Sequence, residues 1–417
     1  MSAARTMAHR LGRMAGRDPH EPGRTATPLE LLYDLTFVVA FGLAADKLAH
    51  AVAEAHVVAG LVGFAFATFA ICWAWINFSW FSSAFDNDDW GFRLATMAQM
   101  VGVVVMALGL PQMFDSIGGE DHLDLRTMVL GYVIMRVSML TLWLRAGRHD
   151  PAHRRACRTY AAALSVAQVG WVVLALVRLR PVPALLLALG LFLLELAGPV
   201  LAERYRGGTP WHAHHIAERY GLLAIITLGE GVIGTVATLS AVVETYGWSG
   251  DALAVVVAGI GLTFGMWWTY YLLPSAPALH AHRQRAFVWG YGHMIIFGAI
   301  AATGGGMHVA AYGISGESHL GPGGTALAIA LPVGVFAVAI HGLHAYLVRT
   351  AGAGHVLLLA GTAAVLVGAV LLAVAHVPLA ICLVVLMLAP MVPVVGSELL
   401  GRRDPAPARD RLAGADD

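Results

Sequence analysis

Long apolar runs, each closed by a short polar or Pro/Gly-containing stretch, recur along nearly the whole chain. They fall near 29–48, 56–82, 92–114, 127–145, 159–178 and 182–202, and again near 214–240, 251–273, 286–309, 325–348, 354–375 and 378–398. Runs of this kind match the ~20 residues that an α-helix needs to cross a bilayer core. The pattern predicts an all-α polytopic membrane protein with about twelve transmembrane helices. Residues 1–28 are rich in Arg, Gly and Pro and read as a mobile cytoplasmic tail rather than a cleavable signal. Residues 401–417 read as a second cytoplasmic tail.

Composition agrees with the pattern. The 417 residues are 58% hydrophobic and 12% charged, with a mean hydropathy of +0.70, whereas a soluble domain carries about 25% charged residues. The lipid bilayer is therefore the expected partner. Net charge is zero and the arginines lie in short loop clusters, so nucleic-acid binding is not expected. The three cysteines, Cys72, Cys157 and Cys382, are far apart and indicate neither disulfides nor a thiolate metal site. With the N-terminus inside, twenty loop and tail arginines face the cytoplasm against Lys47, Arg126, Arg178 and Arg180 on the other side. The positive-inside rule then places both termini in the cytoplasm.

The two sets of six runs suggest a duplication. Trp73 and Trp267, Gln99 and His293, and Pro199 and Pro393 are each separated by 194 residues, and Glu30 and Glu218 by 188. An even number of helices per half makes the repeats parallel. The expected organisation is a first six-helix repeat over 29–203 and a second over 204–400.

Several polar residues interrupt apolar helices, where an ionised side chain costs on the order of 2.5 to 3.5 kcal/mol and normally faces a bundle interior or a pathway. Glu30 and Asp34 are four apart on one face of helix 1, with Arg136 in helix 4 as the expected partner of Asp34 and a structural ion pair as the alternative. Glu195 lies deep in helix 6. Glu230, between Gly229 and Gly231 in helix 7, suits either an ion-coordinating site or a protonated, hydrogen-bonded carboxyl. Helix 7 opens with His214, His215, Glu218 and Arg219; the His214, His215 and Glu218 spacing is a weak metal-ligand candidate. His293 is a candidate for a proton-coupled step or a satisfied core histidine. His341 and His344 share a face of helix 10. Asn77, Asp86, Asp88 and Asp89 form a polar group beside Arg93. Trp73, Trp75, Trp80, Trp267, Trp268, Tyr270 and Tyr271 read as interfacial belts. No Walker A loop, dinucleotide-binding glycine motif, nucleophile elbow or HExxH is present, so no enzyme and no cofactor is expected.

ELLYDLTFVVA in helix 1, FDNDD after helix 2 and HHIAERYGLLAIITLGEGVI in helix 7 resemble the low temperature requirement A (LtrA) family, over residues 29 to about 400. The resemblance implies a bacterial multi-pass protein of the inner membrane. It carries over Glu30, Asp34, Asp86, Asp88, Glu218, Arg219, Gly221, Gly229 and Glu230 as motif positions, without roles. Helix 1 also resembles the E-x-F-S-D-x-V-F-A opening of a twelve-helix potassium-channel family. Leu32 and Tyr33 stand where that motif has Phe and Ser, and helix 7 has Leu222 in place of its Asp, so potassium conduction is not carried over. The functional expectation is a transporter or channel for a small solute or ion. Its pathway would be lined by Glu30, Asp34, Arg136, Glu218, Arg219, Glu230 and His293. A membrane sensor or accessory protein with structural buried charges, and a metal-dependent membrane enzyme at the histidines, are the competing classes. A homo-oligomer is compatible with any of them.

Overall fold

The computed structural model describes residues 11–119, 121–273, 275–349 and 353–401. Among these residues there is no strand, and twelve helices are long and apolar enough to cross a membrane. They are α1 (Pro28–Ala53), α2 (Val57–Phe85), α3 (Trp90–Ile117), α4 (Arg126–His149), α5 (Arg154–Leu176) and α6 (Pro181–Tyr205). Then come α7 (Ala213–Tyr246), α8 (Gly250–Leu272), α9 (Ala286–Ile314), α10 (Pro322–Val348), α11 (Gly354–Val374) and α12 (Leu379–Leu399). Each apolar run read from the sequence is one of these helices.

Local chemistry sets the helix ends. Thr27 caps α1: its hydroxyl accepts from the Glu30 N–H at 3.3 Å while the Glu30 carboxylate accepts from the Thr27 N–H at 2.8 Å, with Pro28 in the first turn. Asp89 caps α3 by accepting from the Phe92 N–H at 2.8 Å. Gly109 interrupts α3, and Pro390 interrupts α12. At the second break the Thr269 hydroxyl of α8 donates to the carbonyl of Pro390 at 2.9 Å, supplying a partner to backbone that the helix leaves open.

Packing divides the chain into two compact units: Met1–Glu230 with Ser275–Ala301, and Gly231–Pro274 with Ala302–Asp417. A division by packing is independent of a duplication in sequence. In the first unit α1 contacts α2 and α3, and α3 to α6 pack in chain order. In the second, α8 packs on α12, and α11 on α10 and α12. Large apolar side chains such as Leu31, Leu35 and Val39 of α1, and Leu186, Leu189 and Leu193 of α6, remain exposed, as expected for surfaces that meet lipid.

Without a hydrophobic drive between helices in lipid, close backbone approach holds them together. The tightest such contact joins α3 and α4, where a Cβ added to Gly131 would lie 2.2 Å from the Met106 backbone nitrogen and 2.5 Å from the Gly102 carbonyl oxygen. The neighbouring groups are backbone and cannot rotate away.

Residues 11–27, expected as part of a mobile tail, are instead tied to the helix ends; residues 1–10 and 402–417 lie outside the described residues. Met14 is fully buried. The N–H groups of Gly12 and Gly16 donate to Asp89 and Asp150 at 2.9 and 2.8 Å, and the Arg17 N–H donates to the Ala84 carbonyl at 2.9 Å. The tail prediction followed from composition, and composition does not reveal that the loop carboxylates would accept the segment's backbone.

Gly131→Val should destabilise the protein by at least about 3 kcal/mol, the upper part of the range for overpacking, because both clashing groups are backbone. A lowered thermal midpoint in detergent checks this.

Candidate functional site

The first two turns of α1 and α7 carry two pairs of polar side chains at helical spacing, Glu30 with Asp34 and His215 with Arg219. The pairs meet face to face. The Arg219 guanidinium donates to Glu30 Oε1 at 2.8 Å, and to Asp34 through Nη2 and, at 3.2 Å, through Nε. His215 Nε2 lies 3.2 Å from Glu30 Oε2. Glu30 with His215, and Asp34 with Arg219, are each 185 positions apart, so the two helices run in the same direction along this seam.

All four side chains are 0% exposed, and neighbours complete the shell. Ser82 donates to Glu30 at 2.6 Å, and the Trp75 indole N–H donates to Asp34 at 2.6 Å. The Arg219 guanidinium lies 5.6 Å from the Trp75 ring centroid and 5.8 Å from that of Phe78, a cation–π setting. Charges removed from water need this saturation, since each costs several kcal/mol to desolvate.

Arg136 is not the partner of Asp34. It lies at 3.1 Å from Glu195 of α6, in a buried group that includes the hydroxyl of Tyr132. Hydropathy shows that a buried charge needs a partner but not which helix supplies it. Arg136 and Glu195 therefore form a separate α4–α6 pair. Glu218 is half-buried at the mouth of α7 and accepts from the Ala26 N–H at 3.2 Å. Glu230, 1% exposed, has no hydrogen-bond partner at Oε1. It packs on α1, where a Cβ on Gly42 would come within 3.0 Å of that oxygen.

His293 is 0% exposed and its Nδ1 lies 2.8 Å from the Trp289 carbonyl oxygen. It does not touch the Asp34–Arg219 pair; Tyr220 stands between, at 4.9 Å from Trp75 and 5.0 Å from His293 by ring centroids. His214 is exposed whereas His215 faces Glu30, so the His214, His215 and Glu218 candidates do not converge. His341 and His344 have ring centroids 6.0 and 6.5 Å from that of His355. Among the described residues no three His, Cys, Asp or Glu side chains are grouped as metal ligands would be.

The profile of the bacterial low temperature requirement A protein (LtrA) family matches residues 25–390, a stretch that contains the whole seam. The chain belongs to the LtrA family. It is also 27% identical over 301 residues to an uncharacterized protein of Rhizobium meliloti (strain 1021), a match covering 66% of each chain and so slightly under two thirds of that relative. No solved structure matches it.

In this LtrA family protein the FDNDD loop is more than a solvated turn. Arg24, 7% exposed, reaches Asp86 at 3.6 Å and the Ser82 carbonyl at 3.3 Å. Burial, followed by the nearby Glu30 carboxylate, pushes Asp86 up to about 6. Burial acts the same way on Asp89, but hydrogen bonds from Arg145 and from the Phe92 and Gly12 N–H groups outweigh it and hold Asp89 at about 2. Arg93 pairs with the exposed Asp88, at 2.7 Å. Sequence reading missed Trp75, Ser82 and Arg24. Trp73, Trp75 and Trp80 were expected in an interfacial belt, yet they are 1%, 0% and 8% exposed. Trp267, Trp268 and Tyr271 keep 38% to 43% exposure, as belt residues would. The available signal for Trp75 was its place in a helix so apolar that its indole N–H needed a buried acceptor.

Arg219→Met leaves two buried carboxylates facing each other and should cost roughly 3–5 kcal/mol, read from unfolding of the purified protein in detergent. Asp86 holds its proton more tightly folded than unfolded, so its contribution to stability falls as pH rises from its ordinary 3.8 through about 6. Asp86→Asn should flatten that part of the stability–pH curve, measured by thermal midpoints across the interval.

Proposed function

We propose that this LtrA family protein is a transporter or channel, not an enzyme, that moves a small solute or ion along the seam between α1 and α7. The observation that carries the reading is the cluster of two carboxylates and one guanidinium, fully buried within helices that cross the membrane. A buried ion pair adds little net stability over apolar residues of the same volume. Ionisable groups at membrane depth characteristically line substrate and ion routes.

A second carboxylate supports it. Glu230 meets α1 at Gly42, eight residues beyond Asp34 and so about 12 Å further along the helix. Between the two stations lie Phe37 and Phe41 of α1 with Leu223 and Ala224 of α7, all 0% exposed. Two polar stations separated by an apolar collar describe a closed, occluded arrangement. Close by, Trp73, Asn77, Tyr160, Tyr220 and Tyr291 line a small recess.

The arginine distribution supports cytoplasmic termini and an inner-membrane location, which puts the Glu30 end of the seam at the cytoplasmic face. The common direction of α1 and α7 is what two parallel six-helix repeats require. A second reading, a membrane sensor or accessory protein, draws on the same burial: the cluster would then fasten α1 to α7 and conduct nothing.

Purified protein in liposomes should dissipate an imposed potassium, sodium or proton gradient faster than empty liposomes. Asp34→Asn and Glu230→Gln should each lower that rate at least about tenfold, the change that about 1.4 kcal/mol in the barrier gives. Unchanged flux in both variants would remove the seam as the route. No flux of any of the three ions from folded protein would favour the sensor reading.

A further inference from the structure

The buried cluster is one positive charge short. Asp34 accepts from the Trp75 indole and twice from Arg219. Glu30 accepts from the Thr27 backbone and from Arg219. These N–H groups can only donate, and the Ser82 hydroxyl is placed to donate to Glu30 as well, an arrangement that favours the ionised form of both carboxylates. Arg219 alone balances one of them.

The surrounding charges do not supply the difference. Arg24, from the segment before α1, and Asp86, after α2, pair with each other at 3.6 Å and cancel where Asp86 is ionised, above about pH 6. Glu218, on α7 itself, adds negative charge at the mouth. His212 accepts from the His215 N–H through its Nδ1 at 3.2 Å, so that nitrogen carries no proton. Within the seam itself, His215 is the group left to take up charge. Its Nε2 faces an ionised oxygen of Glu30 at 3.2 Å and must donate. Its Nδ1 is buried with no partner, leaving a lone pair open to a proton.

We infer that His215 is a proton-binding site that controls the α1–α7 seam, with the proton as its coupling ion. The inference rests on the seam being the working site of the protein. A proton from water at the cytoplasmic mouth forms an N–H bond at Nδ1, and the imidazolium with Arg219 then neutralises Glu30 and Asp34 and holds the helices closed. Return of that proton to water leaves one uncompensated carboxylate in a dry interior. Water entry between α1 and α7 relieves that state, so deprotonation opens the seam.

The test uses full-length protein in lipid nanodiscs with ¹⁵N-labelled histidine, titrated between about pH 5 and 8, the range in which imidazole changes charge. The His215 signal is assigned by its loss in His215→Gln, or in His215→Asn if the first variant does not fold. In parallel, spin labels on Leu35→Cys and His214→Cys, both exposed positions, report the α1–α7 distance; the native cysteines are all buried. One proton should titrate on His215, with the distance lengthening at the same midpoint as pH rises. The distance should become independent of pH in the His215 variant, and Glu30→Gln should lower the His215 proton affinity at least about tenfold. A His215 that does not titrate, or a distance change that survives its replacement, would overturn the inference. Neither readout needs flux: flux with a silent His215 removes the proton and leaves transport, whereas a titrating His215 without flux removes transport and leaves a proton-controlled contact.

Discussion

No water is available in the hydrocarbon region to satisfy a charge, and the Arg219 guanidinium can reside there only because Glu30 and Asp34 receive its N–H groups. The geometry around it follows from that constraint. Glu30 must stand in the first turn of α1, where it closes the capping box with Thr27. Trp75 and Ser82 must face α1 to fill the remaining lone pairs. Tyr220, one residue past Arg219, then meets both Trp75 and His293, so the aromatic packing of α9 is set by the same registry. A single saturated charge thus places parts of four helices.

The segment before α1 extends this order to the membrane surface. Arg24 brings its charge to Asp86 beneath a loop whose other carboxylates, Asp88 and Asp89, have already been taken by Arg93 and Arg145. Three neighbouring aspartates therefore live in three environments: one buried and poorly compensated, one exposed, and one saturated with donors. The different proton affinities of Asp86 and Asp89 follow from partners and depth rather than residue type.

Much of the architecture was legible because it depends on a one-dimensional property. A run of apolar residues long enough to span must be a helix, and all twelve follow from that. Partner choice depends on which helices are neighbours, which hydropathy does not encode. Hence Asp34 was matched to Arg136, midway along its own helix, while Arg219 was read as part of a polar helix mouth. The local motifs did carry the right elements, since Glu30, Asp34 and Arg219 all lie within the stretches that resemble the LtrA family. Trp75 and Ser82 were hidden for a different reason: in an apolar helix an indole or a hydroxyl looks like packing until its acceptor is known.

The long separation of the partners has a consequence for how the protein is made. Glu30 and Asp34 leave the ribosome 185 residues ahead of His215 and Arg219. When α1 is first offered to the lipid, Glu30 and Asp34 have no counter-charge near them, Lys47 lying more than three turns beyond Asp34 and next to Asp46, and Asp34, the deeper of the two, opposes insertion by up to about 2.5 to 3.5 kcal/mol. By itself α1 is thus a weaker membrane anchor than it becomes once α7 has emerged beside it. Biogenesis must keep α1 beside the insertion machinery, or in a shallow interfacial position, until α7 arrives. Arg219 then acts as an assembly signal as well as a charge.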